Sequence, residues 1–242
     1  DTAAIKLTAV EDLGGGLKAT GVISAGGLAR GNAVTGEDMS LTLAGGFGSV
    51  LMGQIEIGSG IRGLAQADAP VQNLEGEVLA AASAGTDIVK FTAPKMGDFT
   101  FSASQTETKG LSTGMEDGAA NRGTSAKTVG VDYAAGALKA KVDYSDYDSQ
   151  SASTKINNRY RVAAQYDLGV AKVGAGLESQ KLVGGTTNKL TMIGVSAPLG
   201  AVTVGAAWAK ADASATAGTK SGSTVGASYA LSKRTSLVAT YA

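Results

Sequence analysis

The sequence predicts an all-β fold, a transmembrane antiparallel β-barrel with about fourteen strands in this chain. Seven short connections recur at a nearly regular beat, and longer, more polar connections fall between them. The segments they join are about ten residues long and alternate apolar with polar or tiny residues. Long charged side chains stand inside several of these segments, where a buried soluble core would not admit them. Tight turns at one end of a strand set and long loops at the other are the pattern of an outer-membrane barrel.

The short connections are Asp12-Leu13-Gly14-Gly15, Gly45-Gly46-Phe47-Gly48, Pro94-Lys95-Met96-Gly97-Asp98, Ala134-Ala135-Gly136, Asp167-Leu168-Gly169, Pro198-Leu199-Gly200 and Leu231-Ser232-Lys233-Arg234. Between them, parity separates two faces, because successive side chains on a strand point to opposite sides. Ile5 and Leu7 share a face against Ala4, Lys6 and Thr8. Met39, Leu41 and Leu43 oppose Ser40 and Thr42; Leu51, Gly53, Ile55 and Ile57 are read as opposing Met52, Gln54 and Glu56. Val89 and Phe91 oppose Lys90 and Thr92, and Phe99, Phe101 and Ala103 oppose Thr100, Ser102 and Ser104. Val129, Val131 and Tyr133 oppose Thr128, Gly130 and Asp132.

The clearest alternation sets Leu138, Ala140, Val142 and Tyr144 against Lys139, Lys141 and Asp143. Tyr160, Val162, Ala164 and Tyr166 then oppose Arg159, Arg161, Ala163 and Gln165. Ala171, Val173, Ala175 and Leu177 follow against Lys172 and Glu178; then come Val202, Val204, Ala206 and Trp208, next Val225, Ala227 and Tyr229, and last Leu237, Ala239 and Tyr241. Residues 189–196 are ambiguous, since Met192 and Ile193 are adjacent and both faces look apolar. Aromatics gather near strand ends, as membrane girdles do, although strands favour aromatics in any setting. Lys139, Lys141, Arg159, Arg161 and Lys172 must face water, and with lipid outside that water fills a lumen.

Composition narrows the function. There are 35 glycines and only 3 prolines, yet alternating apolar residues persist to the end of the chain, which argues against disorder. No apolar run reaches the length of a helical membrane span. Charge is balanced, 21 against 21, which gives no footprint for nucleic acid. With no histidine and no cysteine, Ser-His-Asp chemistry, thiolate chemistry and the usual soft metal ligands are out. No catalytic residue, metal site or cofactor is therefore expected, and the chain is not expected to be an enzyme. No signal peptide is visible at the start, as expected of a mature or trimmed exported chain.

The stretch from Ala4 to Ala19, AIKLTAVEDLGGGLKA, resembles the second-strand hairpin of the trimeric general porins of Gram-negative bacteria, most of all their β-proteobacterial branch. Leu41 to Val50, Phe91-Thr92-Ala93-Pro94, Gly194 to Gly200 and Tyr229 to Thr235 carry the same resemblance in the same order. It implies a single barrel domain over residues 1–242 and a water-filled outer-membrane channel for passive diffusion of small hydrophilic solutes and ions. It implies partners too: a homotrimer, outer-membrane lipid and lipopolysaccharide. The resemblance implies a barrel of 16 strands. Here the first strand runs into a short turn and the last runs out of one, and the end is Tyr241-Ala242 without the family's terminal aromatic. The expectation is that a first and a last strand are missing from this sequence.

The resemblance also implies that residues 58–85 fold into the lumen as a constriction loop. They carry Arg62, Asp68, Glu75 and Glu77, and Leu64, Val71, Leu74, Val78 and Leu79 supply apolar groups to seat on the inner wall. An external loop with solvated charges is the other reading. Porins of this branch carry an arginine ladder opposite that loop, whereas the matching positions here are Ala4, Gln54 and Ala84. The expected pore-lining set is Lys6, Gln54, Glu56 and Lys90, with Lys139, Lys141, Arg159 and Arg161 as a second basic wall, unless those four only pair with Asp132 and Asp143. A nearly balanced throat predicts weak ion selectivity. A surface-exposed structural or adhesive β-rich protein is the alternative function, but its repeating rungs of roughly 20 residues are absent.

Overall fold

The structure is a computed structural model, which describes residues 4–27, 35–56, 61–75, 85–108, 125–148, 156–213 and 218–242. Among these, fourteen strands form one antiparallel sheet in chain order: β1 (Ile5–Gly14), β2 (Leu17–Gly26), β3 (Thr35–Gly45), β4 (Gly48–Glu56), β5 (Gly85–Thr92), β6 (Phe99–Thr108), β7 (Ser125–Ala135), β8 (Leu138–Asp148), β9 (Ile156–Asp167), β10 (Lys172–Leu182), β11 (Thr187–Leu199), β12 (Val202–Ala213), β13 (Gly218–Ala230) and β14 (Ser236–Tyr241). A single turn of helix, α1 (Arg62–Ala65), lies in the connection from β4 to β5. No helix among the described residues is long and apolar enough to cross a membrane. The expectation of about fourteen strands matches this count.

Local chemistry makes the hairpins. The Asp-Leu-Gly sequence occurs twice at a turn, and each time the aspartate caps it identically. Gly14 N–H donates to Asp12 Oδ1 at 2.9 Å, and Gly169 N–H donates to Asp167 Oδ1 at 2.8 Å. Both glycines have positive φ, where a Cβ would be strained. The tightest turns set register by their length: Gly45 pairs with Gly48, and β3 and β4 zip outward from there.

The chain forms two compact units: Asp1–Gly58 with Ser83–Val129, and Ser59–Ala82 with Gly130–Ala242. In the first, one face of β1–β6 presents Leu7, Ile23, Leu41, Met52, Val89 and Phe101, all exposed. Leu7 is 68% accessible. In the second, the corresponding face presents Val142, Tyr160, Leu177, Ile193, Trp208 and Val225. A soluble domain does not leave apolar surface on this scale in water, so hydrocarbon is the medium these faces suit. Wherever the sequence assigns the faces of a strand, the observed faces agree, with one exception; β2 had no such assignment and β11 was ambiguous.

Strand β4 is the exception. Leu41 pairs with Met52, Met39 with Gln54, and Thr42 with Leu51. On the other side Met52 pairs with Val89, Gln54 with Asp87, and Leu51 with Lys90. Directly opposed residues share a face. Met52 and Gln54 therefore belong to the apolar face, while Leu51, Gly53 and Ile55 share the polar face with Ser40, Thr42 and Lys90. The sequence reading of β4 had these reversed. Val50, Leu51 and Met52 are consecutive apolar residues, so parity alone could not orient them. Counting outward from the Gly45–Gly48 turn would have.

Candidate functional site

The segment 61–75, which carries Arg62, Asp68 and Glu75, lies on the polar face of β9–β13. Ile61 carbonyl accepts from Ala65 N–H at 2.9 Å and Arg62 carbonyl from Gln66 N–H at 2.8 Å, which defines α1. The chain then passes through Ala67 (φ 55) and Asp68 (φ 52), two consecutive left-handed residues that are not glycine. Such a conformation costs of order 1–3 kcal/mol per residue and needs external support. The wall supplies it. Ser196 Oγ donates to the Ala67 carbonyl, Gln165 Nε2 donates to Asp68 Oδ2 at 2.9 Å, and Lys172 Nζ reaches the same oxygen at 3.4 Å. Further on, Gln72 N–H donates to Thr224 Oγ1 at 3.4 Å.

Apolar contacts complete the seat. Ile61, Ala65, Val71 and Leu74 form one buried cluster with Ala163, Leu190, Met192 and Ala209, with Leu64 packed at its margin. Leu190 and Met192 are the residues that made β11 look apolar on both faces. Ile193 faces outward, whereas Met192 is covered by this segment and has no exposure.

The wall is also shaved to fit. A Cβ at Gly174 would stand 1.9 Å from the Leu64 carbonyl oxygen, at Gly194 2.5 Å from Gln66 Cα, and at Gly226 2.0 Å from the Pro70 carbonyl oxygen. At Gly176 and Gly205 it would meet the Cβ atoms of Ala65 and Ala69 at 2.8 and 2.5 Å. Gly174 pairs with Gly194, and Gly205 with Gly226, so these positions form a bare track across β10–β13. Sequence reasoning did not find this track. Its trace was glycine recurring on the polar-face parity of consecutive strands.

Behind the segment lies a cluster of buried charges. Glu75 and Glu178 are each only 4% exposed, and one oxygen of each lacks a hydrogen-bond partner among the described protein atoms. Burial pushes the Glu75 carboxyl from its ordinary 4.5 up to about 7; Glu178 adds to the rise, and Arg161, Arg159 and Arg62 oppose it. Arg161 Nε donates to Asp143 Oδ1 at 2.7 Å across β8 and β9, and both side chains are buried. Arg159 stacks its guanidinium on Tyr147 at 5.5 Å, and Lys141 reaches Asp132 at 3.9 Å. The pairing reading of this second basic wall thus accounts for Arg161 and Lys141. Lys139 is exposed beside Gln165.

The remaining expected residues are scattered. Arg62 and Asp68 are exposed on the seated segment, and Glu77 lies outside the described residues, as do Val78, Leu79 and Ala84. In the first unit Lys6 pairs with Ser24 and Lys90 with Leu51, both on the polar face. Gln54 is a correction: its register puts it on the apolar face, opposite Met39 and Asp87, because β4 is oriented by its turn. Glu56 pairs with Gly85 at the end of the same strand. Among the described residues no three carboxylates converge as a metal site.

An antiparallel sheet that is apolar on one side, carries paired charges on the other, and seats an inserted loop on its polar wall defines the class of channel-forming outer-membrane β-barrels. A family model for Gram-negative porins matches residues 2–242, and the chain belongs to that family. No curated protein sequence matches it. Among solved structures it is similar to an anion-selective porin from Comamonas acidovorans, with 22% identity over 98% of this chain and 76% of that one, at a TM-score of 0.70. A multiply substituted porin of Rhodopseudomonas blastica shares 12% identity over 99% and 83% of the two chains, with a TM-score of 0.72. At this identity the structures speak to the fold. The protein is an outer-membrane porin, and its family and fold are those of channels rather than enzymes.

Proposed function

We propose that residues 58–85 form the constriction of this channel, and that small hydrophilic solutes and ions diffuse passively past it. The observation that carries this reading is the seating of residues 61–75 on the polar wall through a glycine track and through bonds to Ser196, Gln165 and Thr224. A loop held by its backbone against the wall narrows the passage without depending on flexible side chains.

The throat field is nearly balanced on this reading. On the seated segment the carboxylates Asp68 and Glu75 are set against Arg62. Glu75, with its carboxyl raised to about 7, carries only part of a charge at neutral pH. Arg161 is compensated by Asp143, and Lys141 lies near Asp132. A low-dielectric passage amplifies net charge rather than paired charge. Weak selectivity follows, unlike the anion selectivity named for the Comamonas protein. The reversal potential of reconstituted channels in a KCl gradient tests it; a permeability ratio above about ten for either ion overturns it.

The assembly is a homotrimer embedded in lipid. A groove of about 510 Å³ on the apolar face, lined by Leu7, Ile23, Met39, Leu41 and Met52, gives that face a concave surface for hydrocarbon. Closure of single reconstituted particles in three equal conductance steps is the expected record, and one-step closure throughout rejects the trimer.

A further inference from the structure

Segment 61–75 crosses the polar wall and then turns back. Leu64 lies over Gly174 on β10, Gln66 over Gly194 on β11, Ala69 over Gly205 on β12 and Pro70 over Gly226 on β13. Leu74 is buried again in the cluster that holds Ala163 of β9 and Leu190 of β11. The strand between these two is β10, where Glu178 pairs directly with Leu190. The return path therefore brings Glu75, the residue after Leu74, to Glu178. Of the charges that act on Glu75, that of Glu178 is the strongest.

The hydrogen atoms around these two carboxyls do not match the oxygens. Glu75 Oε2, Glu178 Oε2, Asp143 Oδ2 and Asn188 Oδ1 are buried and have no hydrogen-bond partner among the described residues. All four side chains are less than a tenth exposed. Against these acceptors, the buried donor left without a partner is Arg159 Nε. Other donors are engaged: Arg161 Nε donates to Asp143 Oδ1, and Gln180 Nε2 donates to Glu178 Oε1. An ionised carboxylate only accepts, so two of them facing each other out of water repel and leave both oxygens unpaired. One proton between them removes both costs.

The neighbours place that proton. Glu178 stands opposite Arg161 in register and already accepts from Gln180, which makes it the acceptor of the pair. Burial pushes the Glu75 carboxyl up to about 7, so Glu75 is the member that carries the proton. The charged and titratable groups around them are Arg62 of α1, Asp143 and Tyr147 of β8, and Arg159 and Arg161 of β9. Strands β11 and β12 bring no charged group to this face, and Lys220 of β13 stands three strands along the same row. Further down the wall, Lys141 and Lys172 are engaged by Asp132 and Asp68.

We propose that Glu75 donates a carboxylic hydrogen bond to Glu178 Oε2, and that this bond locks the return end of segment 61–75 to β10. Glu178 is then a positioning residue of the passage. The glycine track lets the segment approach the wall, and the bond fixes where its end sits. A hydrogen bond to an ionised acceptor is roughly twice as strong as a neutral one. The lock deepens the constriction reading, on which its effect on permeation rests.

The test is pH-difference infrared spectroscopy of the full-length protein in lipid bilayers, read at the carbonyl band of protonated carboxylic acids. Wild-type protein should show such a band at about pH 6 that disappears as pH rises through about 7. Glu75→Gln should abolish it. Glu178→Gln keeps the size of the acceptor and removes its charge, so the band should move to higher frequency and the pH of its loss should fall by about one unit. Glu11→Gln, at an exposed site in the other unit, should change neither. No band in the wild type overturns the proposal. So does a band that Glu178→Gln leaves at the same frequency, since the Glu75 proton then points to water or to another group. Amide protection across 65–75, relative to intrinsic exchange rates, should fall as the band is lost; protection indifferent to that loss overturns the lock. Single-channel conductance separates the two readings: if band and protection respond as expected while conductance is the same at about pH 5 and about pH 8, the lock stands and the constriction reading fails.

Discussion

The glycine track makes the position of the seated segment adjustable by single methyl groups. Consider Gly174→Ala combined with Gly194→Ala. At Gly194 the new carbon begins 2.5 Å from Gln66 Cα, and at Gly174 it begins 1.9 Å from the Leu64 carbonyl oxygen. Ordinary carbon contacts are about 3.5–4.0 Å, so the segment must lift by about 1 to 2 Å. Neither obstacle is a flexible side-chain tip. The two glycines pair with each other, and alanine suits a strand at least as well, so the sheet ladder is undisturbed. The cost, about 1–3 kcal/mol of overpacking, falls on the docked segment, and the two sites will not add because they press on one element. The Ser196 bond to Ala67 and the Gln165 bond to Asp68 weaken together. A segment lifted off the wall moves into the water-filled side, so single-channel conductance and the largest sugar admitted in liposome swelling should both fall. Gly21→Ala, which meets nothing within 4 Å, should change neither. A double variant that migrates as a folded, heat-modifiable protein and matches the wild type in both assays would show that the segment does not set the passage.

Three other outcomes are expected. Burial, reinforced by Glu178, holds Glu75 at about 7 against an ordinary 4.5, so the docked segment keeps a proton that an undocked one releases. Docking is then strongest below about 4.5 and weakens as pH rises through 7; the protection of amides across 65–75, taken relative to the intrinsic exchange rate at each pH, should be greater at about pH 5 than at about pH 8, and Glu75→Gln should erase the difference. Removing one partner of the buried Arg161–Asp143 pair, as in Asp143→Ala, should cost about 3–5 kcal/mol, read as a lower midpoint in urea-driven unfolding from lipid; an unchanged midpoint removes the pair from the stability of this wall. Val142→Arg puts a charge on the outward face of β8 and should impair assembly into bilayers by about 2–4 kcal/mol near the midplane, whereas normal insertion would mean that this face does not meet lipid.

Much of the fold was legible because its rules are local. Side-chain parity has a period of two, and the Asp-Leu-Gly and Gly-Gly-Phe-Gly turns announce their own geometry, so strand order and most faces follow from neighbours in sequence. Gln54 was misplaced where that rule had no purchase: three apolar residues in a row precede it, and only the hydrogen-bond register from the Gly45–Gly48 turn orients β4. Leu190 and Met192 were unreadable for a different reason, since their partner is a segment more than a hundred residues earlier in the chain.

By itself the sequence determined an all-β chain with an apolar side, a charged side and one long connection rich in carboxylates. The tertiary structure decided where residues 61–75 of that connection lie. Asp68 meets Gln165, Ala67 meets Ser196 and Gln72 meets Thr224 across separations of 97, 129 and 152 residues. No local pattern encodes such contacts, because the glycines that permit them are defined by what approaches them. Glycine recurring on the polar face marks the track only in retrospect, and only the docked backbone gives Gly174, Gly194 and Gly226 their role.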